Sequence, residues 1–483
     1  MLVVLGFAMI AVFMALIMTK KLTPVLALII VPTVFGLFAG AGLGLGDMVM
    51  DSMKSLTSTA ALLMFAIIFF GLMIDVGLFD PLVKFILRTL GNDPAKVVLG
   101  TAVLAAVVSL DGDGSTTFIL TTAAMLPIYL RLGLSPVVLT CVAGLANGTM
   151  NIVPWGGPTA RAAAALKVSP TEVFVPMIPS LLAGMATVLV FAWFLGLRER
   201  RRLSGGLDAK FWGSADGGAP AGRKGSGPRG GKGSAVQGSA PKGGGGVALL
   251  EAPVLVHETA DDKDGLMAGA LDPNRSTLRP KLFWFNLVLT VAVMVVLVLD
   301  ILPLAYVFMV GSAIALVANF PRLKDQAKAL TAHAPSIVAV VSMVMAAGVL
   351  TGVLSGTGMV DAMSAWLVSI IPASMGPFMA VITGLLSIPM TFFMSNDAFY
   401  FGVLPVLSET AGHYGISAAE MARASIAGQP VHMQSPLVPA ILLLVSLAKV
   451  ELGDHHKKVL WRALVVSLVM LAVGIILGAI PWA

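Results

Sequence analysis

The stretch Val108–Leu166, VSLDGDGSTTFILTTAAMLPIYLRLGLSPVVLTCVAGLANGTMNIVPWGGPTARAAAAL, decides the fold, because polar, Gly-rich and Pro-rich breaks interrupt its apolar runs. The first break, DGDGST, separates apolar arms at 97–110 and 116–130. These arms are shorter than the roughly 20 residues that cross a bilayer. Irregular backbone at membrane depth is tolerated where it is buried in protein or lines a wet cavity. The pattern predicts a re-entrant hairpin at 97–130 and then a broken helix at 137–166.

Composition places the chain in a membrane. Of its 483 residues, 57% are hydrophobic and 12% are charged, whereas soluble domains are about 25% charged. The net charge of +6 lies in loops and reads as an orientation signal, so no nucleic-acid partner is expected. Residues 2–18 lack a preceding basic region, and we expect a retained span rather than a signal peptide. The single Cys141 excludes a disulfide framework.

The apolar runs divide the chain into two similar halves. The first repeat, 1–197, adds runs at 2–18, 24–43, 59–79 and 177–197 to the hairpin and the broken helix. Residues 198–280 are Gly-rich and polar and are predicted to form a flexible linker. The second repeat, 281–483, contains runs at 282–299, 303–320, 336–355 and 461–481, with a hairpin at 375–407 and a broken helix at 421–446.

Each half is predicted to contain five transmembrane helices and one re-entrant hairpin. Because five is odd, the second half starts from the opposite face and is inverted. The predicted fold class is therefore an all-α polytopic membrane protein with two inverted repeats and broken helices at the midplane, which is typical of secondary transporters. Most Lys and Arg lie in loops that the predicted topology puts on the same membrane face as the linker. This bias places the linker in the cytoplasm and both termini outside the inner (plasma) membrane.

The first hairpin and the first break carry the first set of candidate site residues. Asp111 and Asp113 can hold a hard divalent cation or carry a proton. Ser115 and Thr116 can cap a helix start that faces an anion. Arg161 is either a clamp for a carboxylate, the structural partner of an acid, or a residue that extends to the interface. Amides and backbone of the break are expected to bind a cation or substrate hydroxyls: Asn147, Gly148, Thr149, Asn151, Gly156 and Gly157.

The second hairpin and the second break mirror the first pair. Asp397, in SNDAF at the hairpin tip, is the strongest candidate for coupling to a proton or cation, beside Ser395 and Asn396. The second break contributes Gly428, Gln429, His432 and Ser435. His432 is the only histidine expected at membrane depth, as a structural residue or a proton relay. Asp75 is left open between coupling and helix pairing, and the loop histidines are expected to be solvated, namely His413, His455 and His456.

Four segments together resemble the CitMHS family of citrate–divalent metal:proton symporters in the ion transporter superfamily: SLDGDGSTT, NIVPWGGPTARAA, MTFFMSNDAFYFGVLP and ARASIAGQPVHMQSPLVPA. The resemblance implies proton-driven import of citrate complexed with a divalent cation of the Mg or Ca type, carried as substrate, and a homodimer. No other cofactor is expected. Sodium-coupled carriers of the superfamily have Ser-Asn-Thr hairpin tips. Here Asp397 replaces the Thr, and the acid favours proton and metal handling.

Three alternatives remain at this point. A sodium-coupled di- or tricarboxylate carrier and a metal-oxyanion exporter belong to the same broad class. A membrane-embedded hydrolase is the alternative from another class, because Gly44-Leu45-Gly46-Asp47 matches the GxGD pattern of intramembrane aspartyl proteases. No partner aspartate lies in the preceding span and no HExxH motif occurs in the sequence. We therefore do not expect an enzyme.

Overall fold

A computed structural model describes residues 1–19, 21–91, 93–112, 114–204, 275–299, 301–372 and 374–483, and every regular element in these ranges is helical. Residues 205–274, most of the predicted linker, lie outside the described residues, as does the candidate site residue Asp113.

The helices of the first half begin with a connected set that leads into the predicted hairpin. They are α1 (Leu2–Met18), α2 (Pro24–Phe38), α3 (Leu45–Asp75), α4 (Asp80–Leu90), α5 (Pro94–Val108), α6 (Gly114–Leu132), α7 (Pro136–Met150), α8 (Gly157–Leu166), α9 (Pro170–Phe174) and α10 (Ile178–Ser204). A short 3₁₀ turn, Ser109–Asp111, ends α5 at the hairpin tip.

The second half is likewise all helical in its described residues. Its helices are α11 (Phe283–Val298), α12 (Leu304–Asn319), α13 (Leu323–Ala332), α14 (Ala334–Gly356), α15 (Met359–Ile370), α16 (Met379–Phe393), α17 (Leu404–Gly412), α18 (Ala418–Ile426), α19 (Gln429–His432), α20 (Pro439–Leu447) and α21 (Leu452–Ile476). A π-helical segment, Ala398–Val403, joins the second hairpin tip to α17.

Several described helices are long and apolar enough to cross a bilayer. Seven qualify: Gly42–Asp75, Pro94–Asp111, Pro170–Ser204, Pro280–Leu297, Ala334–Gly356, Gly376–Phe393 and Leu452–Ile476. The prediction of an all-helical, multi-pass membrane protein is thus confirmed. With 31 residues at about 1.5 Å each, α3 measures about 46 Å and exceeds the roughly 30 Å hydrocarbon core.

The first arm of the first hairpin is longer than its apolar run at 97–110 predicts. Asp93 caps α5 by accepting a hydrogen bond of 3.0 Å from the backbone N–H of Ala95, so the helix starts before the apolar run. A hydrogen bond from Arg200 holds the pKa of the Asp93 carboxyl below its usual value. The arms Pro94–Asp111 and Gly376–Phe393 each contain 18 residues, so length alone no longer separates a re-entrant arm from a span.

The packing of the two halves is related. α2 of the first half packs against α14 of the second, and α12 of the second half packs against α3 of the first. The second hairpin arm of each half packs against the second half of the other broken helix, α6 on α20 and α17 on α8. This exchange brings both hairpins and both breaks to the middle of the molecule. The inversion of the repeats and their boundaries stay predictions.

Candidate functional site

The first hairpin tip is fixed by the first break. Gly112 has φ +77°, a left-handed conformation that glycine adopts without strain. An added Cβ there would lie 3.1 Å from Cδ1 of Trp155. The Trp155 indole N–H donates a hydrogen bond of 2.8 Å to the carbonyl of Leu110. The indole therefore holds the tip that carries Asp111, which is 7% exposed.

The first break ends in two glycines with different neighbours. A Cβ on Gly156 would collide with the carbonyl oxygen of Asn151 and lie 2.9 Å from that of Val153, both backbone atoms. A Cβ on Gly157 would meet only the guanidinium of Arg161. The absence of side chains at the start of α8 thus lets the chain turn and lets Arg161 lie against that helix start.

The second hairpin tip and the second break hold each other through amides. The side chain of Gln429 donates hydrogen bonds to Oδ1 of Asn396 at 3.3 Å and to the Tyr400 hydroxyl at 2.8 Å. Ser395 Oγ accepts a hydrogen bond of 3.2 Å from the backbone N–H of Ala398. His432 Nδ1 lies 2.5 Å from the carbonyl oxygen of Thr391 and therefore donates to it. A π-helical segment often marks a functional site, and the one here starts directly after Asp397.

Both tips and both breaks line one cavity of about 620 Å³. Ten of the residues predicted for the site are on its wall: Asp111, Ser115, Thr116, Asn151, Gly157, Arg161, Ser395, Asn396, Asp397 and His432. The cavity also has apolar walls, which include Phe70, Trp155 and Met433. Residues that are more than 230 positions apart in the sequence are thereby brought to one site.

An ion pair crosses this cavity wall. Nε of Arg161 lies 2.6 Å from Oδ1 of Asp397, and the two side chains are 19% and 10% exposed. The pair connects α8 of the first half with the second hairpin tip. Of the three roles left open for Arg161, the structure shows the pairing with an acid. That acid is Asp397, the predicted coupling residue.

A second pair at the other end of the cavity was missed by the sequence reasoning. His333 Nε2 lies 3.0 Å from Oδ2 of Asp75, and both side chains line the cavity. His432 and His333 are thus both on the described wall of this cavity. Gly71, one turn before Asp75, leaves the space that the imidazole fills. The Gly71–Asp75 spacing on one helix face was a signal, but nothing local points to a partner 258 residues away.

The remaining predicted residues lie behind the wall and support it. Asn147 donates a hydrogen bond of 3.0 Å to Ser109 Oγ. Thr149 turns its hydroxyl back to the carbonyl of Leu145 at 2.7 Å, as threonine commonly does inside helices. Ser435 donates to the carbonyl of Phe392 at 2.6 Å. None of these three side chains is among the described residues of the cavity wall.

Four further predicted residues are also packed rather than exposed to the cavity. A Cβ on Gly148 would lie 3.0 Å from the Cα of Pro430, so this glycine lets the two breaks touch. A Cβ on Gly428 would lie 2.6 Å from Ser387 Oγ. Gln429 is fully buried. Like Gly156 at the turn, these residues position the site rather than line its wall in the described structure.

The prediction of solvated loop histidines is wrong for His455. Its side chain is fully buried, and its ring nitrogens lie 3.1 Å from Thr140 Oγ1 and 3.1 Å from Gln434 Oε1. His456 Nε2 lies 2.7 Å from the carbonyl oxygen of Gln434. Both histidines sit in the first turns of α21, which carry them under the second break. They therefore fix the loop that follows His432.

Protein ligands for a bound metal are few at this site. Within the ranges that the structure describes, no group of three or more His, Cys, Asp or Glu side chains is close enough to hold a metal ion. Of the three acids predicted to contact metal, Asp111 and Asp397 line the cavity and Asp113 lies outside the described residues.

Comparisons with known proteins identify the family of this chain. The family CitMHS, described as "Citrate transporter", matches residues 1–428. Two proteins of Bacillus subtilis (strain 168) are similar along the chain: "Citrate transporter" is 46% identical, covering 100% of both chains, and "Mg(2+)/citrate complex secondary transporter" is 44% identical, covering 99% of both. A third, "Uncharacterized transporter YraO", is 42% identical over 99% of both.

A solved structure is similar at a much lower level. The crystal structure of the Alcanivorax borkumensis YdaH transporter has 13% sequence identity and a TM-score of 0.49, and covers 89% of this chain and 87% of its own. A likeness at this level supports no inference. The family match and the relatives above 40% identity identify a transporter rather than an enzyme. This chain belongs to the CitMHS family of citrate transporters.

Proposed function

We propose that this protein is a secondary active transporter that imports citrate complexed with a divalent cation, coupled to protons, by alternating access. Family membership supports citrate transport, and one relative is named a Mg(2+)/citrate complex secondary transporter. The single observation that carries the finer proposal is the Arg161–Asp397 pair on the wall of the cavity.

The pair gives a direct route to proton coupling. Arg161 is the one guanidinium among the described cavity residues, and a guanidinium binds a carboxylate in a two-point geometry. Asp397 forms an ion pair with that guanidinium when no substrate is bound. Protonation of Asp397 releases Arg161 for a carboxylate of the substrate, so a proton and the citrate complex favour each other's binding.

Charge balance explains why the metal travels with citrate. Free citrate is a trianion, whereas its chelate with a divalent cation carries a single negative charge. Loading one proton and one chelate adds no net charge to the cavity, but loading one proton and free citrate adds two negative charges. Burying uncompensated charge is costly. Asp111, at the other hairpin tip, is placed to contact the chelated cation, and oxygen ligands suit Mg²⁺ and Ca²⁺.

The Asp75–His333 pair extends the proposed proton route. Asp75 ends α3, and its backbone carbonyl accepts hydrogen bonds from Arg275 at 3.1 Å and Thr277 at 3.0 Å, two described residues near the C-terminal end of the predicted linker. The imidazole of His333, beside Asp75, has two ring nitrogens, of which one can accept a proton while the other donates one. We propose that this pair passes the proton from the cavity to the linker side. In this proposal the linker is cytoplasmic, both termini are outside the plasma membrane, and two chains form a homodimer.

The nearer alternative is a sodium-coupled carrier, and labelled citrate uptake into proteoliposomes separates the two. We expect accumulation that requires Mg²⁺ or Ca²⁺, follows an imposed inward proton gradient and persists without sodium. Omission of the metal should reduce uptake to the level of empty liposomes. Uptake that needs sodium and proceeds without metal would contradict the proposal.

A further inference from the structure

A second pocket lies in line with the central cavity. It has a volume of about 330 Å³. Its wall residues come from α3, from the end of α8 and the loop that follows, and from the start of α12; they are Ser55, Ser58, Thr59, Leu62, Ala163, Ala164, Lys167, Val168, Ser169, Pro170, Pro303, Leu304 and Ala305. None of these residues belongs to the candidate site described above.

The two pockets follow one face of α3. The α3 residues from Ser55 to Leu62 contribute to the wall of the second pocket, and those from Leu63 to Asp75 contribute to the wall of the central cavity. The α3 residues on the two walls recur at intervals of three and four residues, which keeps their side chains on one face of the helix. Thr59 and Ala66, one on each pocket, are seven residues apart, or about 10 Å along the axis. The two spaces therefore adjoin at the consecutive residues Leu62 and Leu63.

The short helix α8 separates the same two spaces. Its first turn, with Arg161, faces the central cavity, and its last turn, with Ala163 and Ala164, faces the second pocket. Leu62 and Leu63 of α3 are 2% and 3% exposed and fill the boundary. Asp75, at the far end of α3, is hydrogen-bonded to Arg275 near the C-terminal end of the predicted linker, so the second pocket lies toward the face away from the linker.

The wall of the second pocket suits an anion. Lys167 is the one charged residue among the described residues that line it. Lys167 has φ +56° and ψ 40°, a left-handed conformation in which glycine is usual, so this lysine occupies a strained backbone position. Thr59 is 8% exposed and its hydroxyl has no hydrogen-bond partner among the described residues, although it lines the pocket.

We propose that the second pocket is the vestibule on the face away from the linker, where Lys167 and the Thr59 hydroxyl bind the negatively charged citrate–metal complex before it reaches Arg161. The proposal rests on the proposed function. A shift of α8 relative to α3 opens the boundary at Leu62 and Leu63 and closes the cavity toward Asp75, so the two pockets are the two sides of one path.

Transport kinetics test the vestibule in proteoliposomes of known orientation. For Lys167→Gln, we expect about a tenfold lower kcat/KM for Mg²⁺–citrate added on the face away from the linker, with kcat kept, since a cationic funnel raises capture by tenfold or more. Lys54→Gln is the matched control, because Lys54 is an exposed lysine of α3 outside the pocket. Equal kcat/KM for the two variants would overturn the proposal.

Cysteine labelling provides a second measurement that keeps Lys167. Cys141 is the single cysteine, and it is buried, so Cys141→Ala gives a background for Ser58→Cys. We expect a membrane-impermeant maleimide to label this cysteine only from the face away from the linker, and Mg²⁺–citrate to slow the labelling. Labelling from the linker face, or no protection in a carrier that transports, would overturn the vestibule. A wild-type protein without metal-dependent citrate uptake would instead overturn the proposed function.

Discussion

Replacement of Asp397 by Asn separates substrate binding from proton coupling. The substitution keeps the size of the side chain but removes the charge 2.6 Å from Arg161. Removing one member of a buried ion pair leaves an uncompensated charge, at a cost of about 3–5 kcal/mol. In the variant, a carboxylate of the bound citrate complex can take the place of Asp397 beside Arg161 and recover part of this cost. If binding recovers about 1.4–2.8 kcal/mol, the Kd of Mg²⁺–citrate falls by about tenfold to a hundredfold.

The affinity for Mg²⁺–citrate should depend on pH differently in the wild-type protein and in Asp397→Asn. If binding of the complex takes up a proton, as proposed, the affinity of the wild-type protein falls as the pH rises. In Asp397→Asn no proton is needed at this position, so affinity should change little with pH. Titration calorimetry of purified protein between pH 5.5 and 8 measures both effects. We also expect citrate exchange to survive in this variant while accumulation driven by a proton gradient is lost.

Two outcomes would refute the reasoning. The first is weaker binding of Mg²⁺–citrate to Asp397→Asn in protein that is folded and membrane-inserted, because the carboxylate would then be a ligand rather than a competitor. The second is proton-driven accumulation at the wild-type rate, which would remove Asp397 from the coupling mechanism. Asp51→Asn is a matched control, since Asp51 is exposed on the surface beside Lys54.

Three further predictions follow from the cavity wall. Arg161→Lys keeps the charge but loses the two-point geometry, and we expect KM for Mg²⁺–citrate to rise about tenfold with normal expression; an unchanged KM would exclude the carboxylate contact. Gly156→Ala meets backbone on both sides and should lower the yield of folded protein in detergent chromatography, whereas Gly157→Ala meets only the end of Arg161 and should fold but transport poorly. Equal yields and equal transport would contradict this distinction. His333→Gln should slow proton-driven uptake several-fold more than exchange, and equal slowing would remove the Asp75–His333 pair from the proton route.

The sequence predicted the parts of the site that depend on local pattern. Polar breaks inside apolar runs showed where backbone leaves helical geometry, and these positions line the cavity at Asp111, Asn151, Asn396 and Asp397. The helix ends were less accurate, because Asp93 caps α5 before its apolar run begins.

Pairings across the fold could not be predicted. The 236 residues between Arg161 and Asp397, and the 258 between Asp75 and His333, leave no local trace of contact. The amino-acid type alone also does not predict the direction in which a side chain points. The Thr149 hydroxyl bonds its own helix, and His455 is buried at the start of a helix whose first turns look solvated in sequence.

The central claim is that one proton and one citrate–metal complex bind together where the two hairpin tips meet. Its most direct test is the number of protons taken up when Mg²⁺–citrate binds purified wild-type protein, obtained by calorimetry in buffers of different ionisation enthalpy. We predict about one proton per complex bound, as the linkage between the two ligands requires. Binding with no proton uptake would contradict the account.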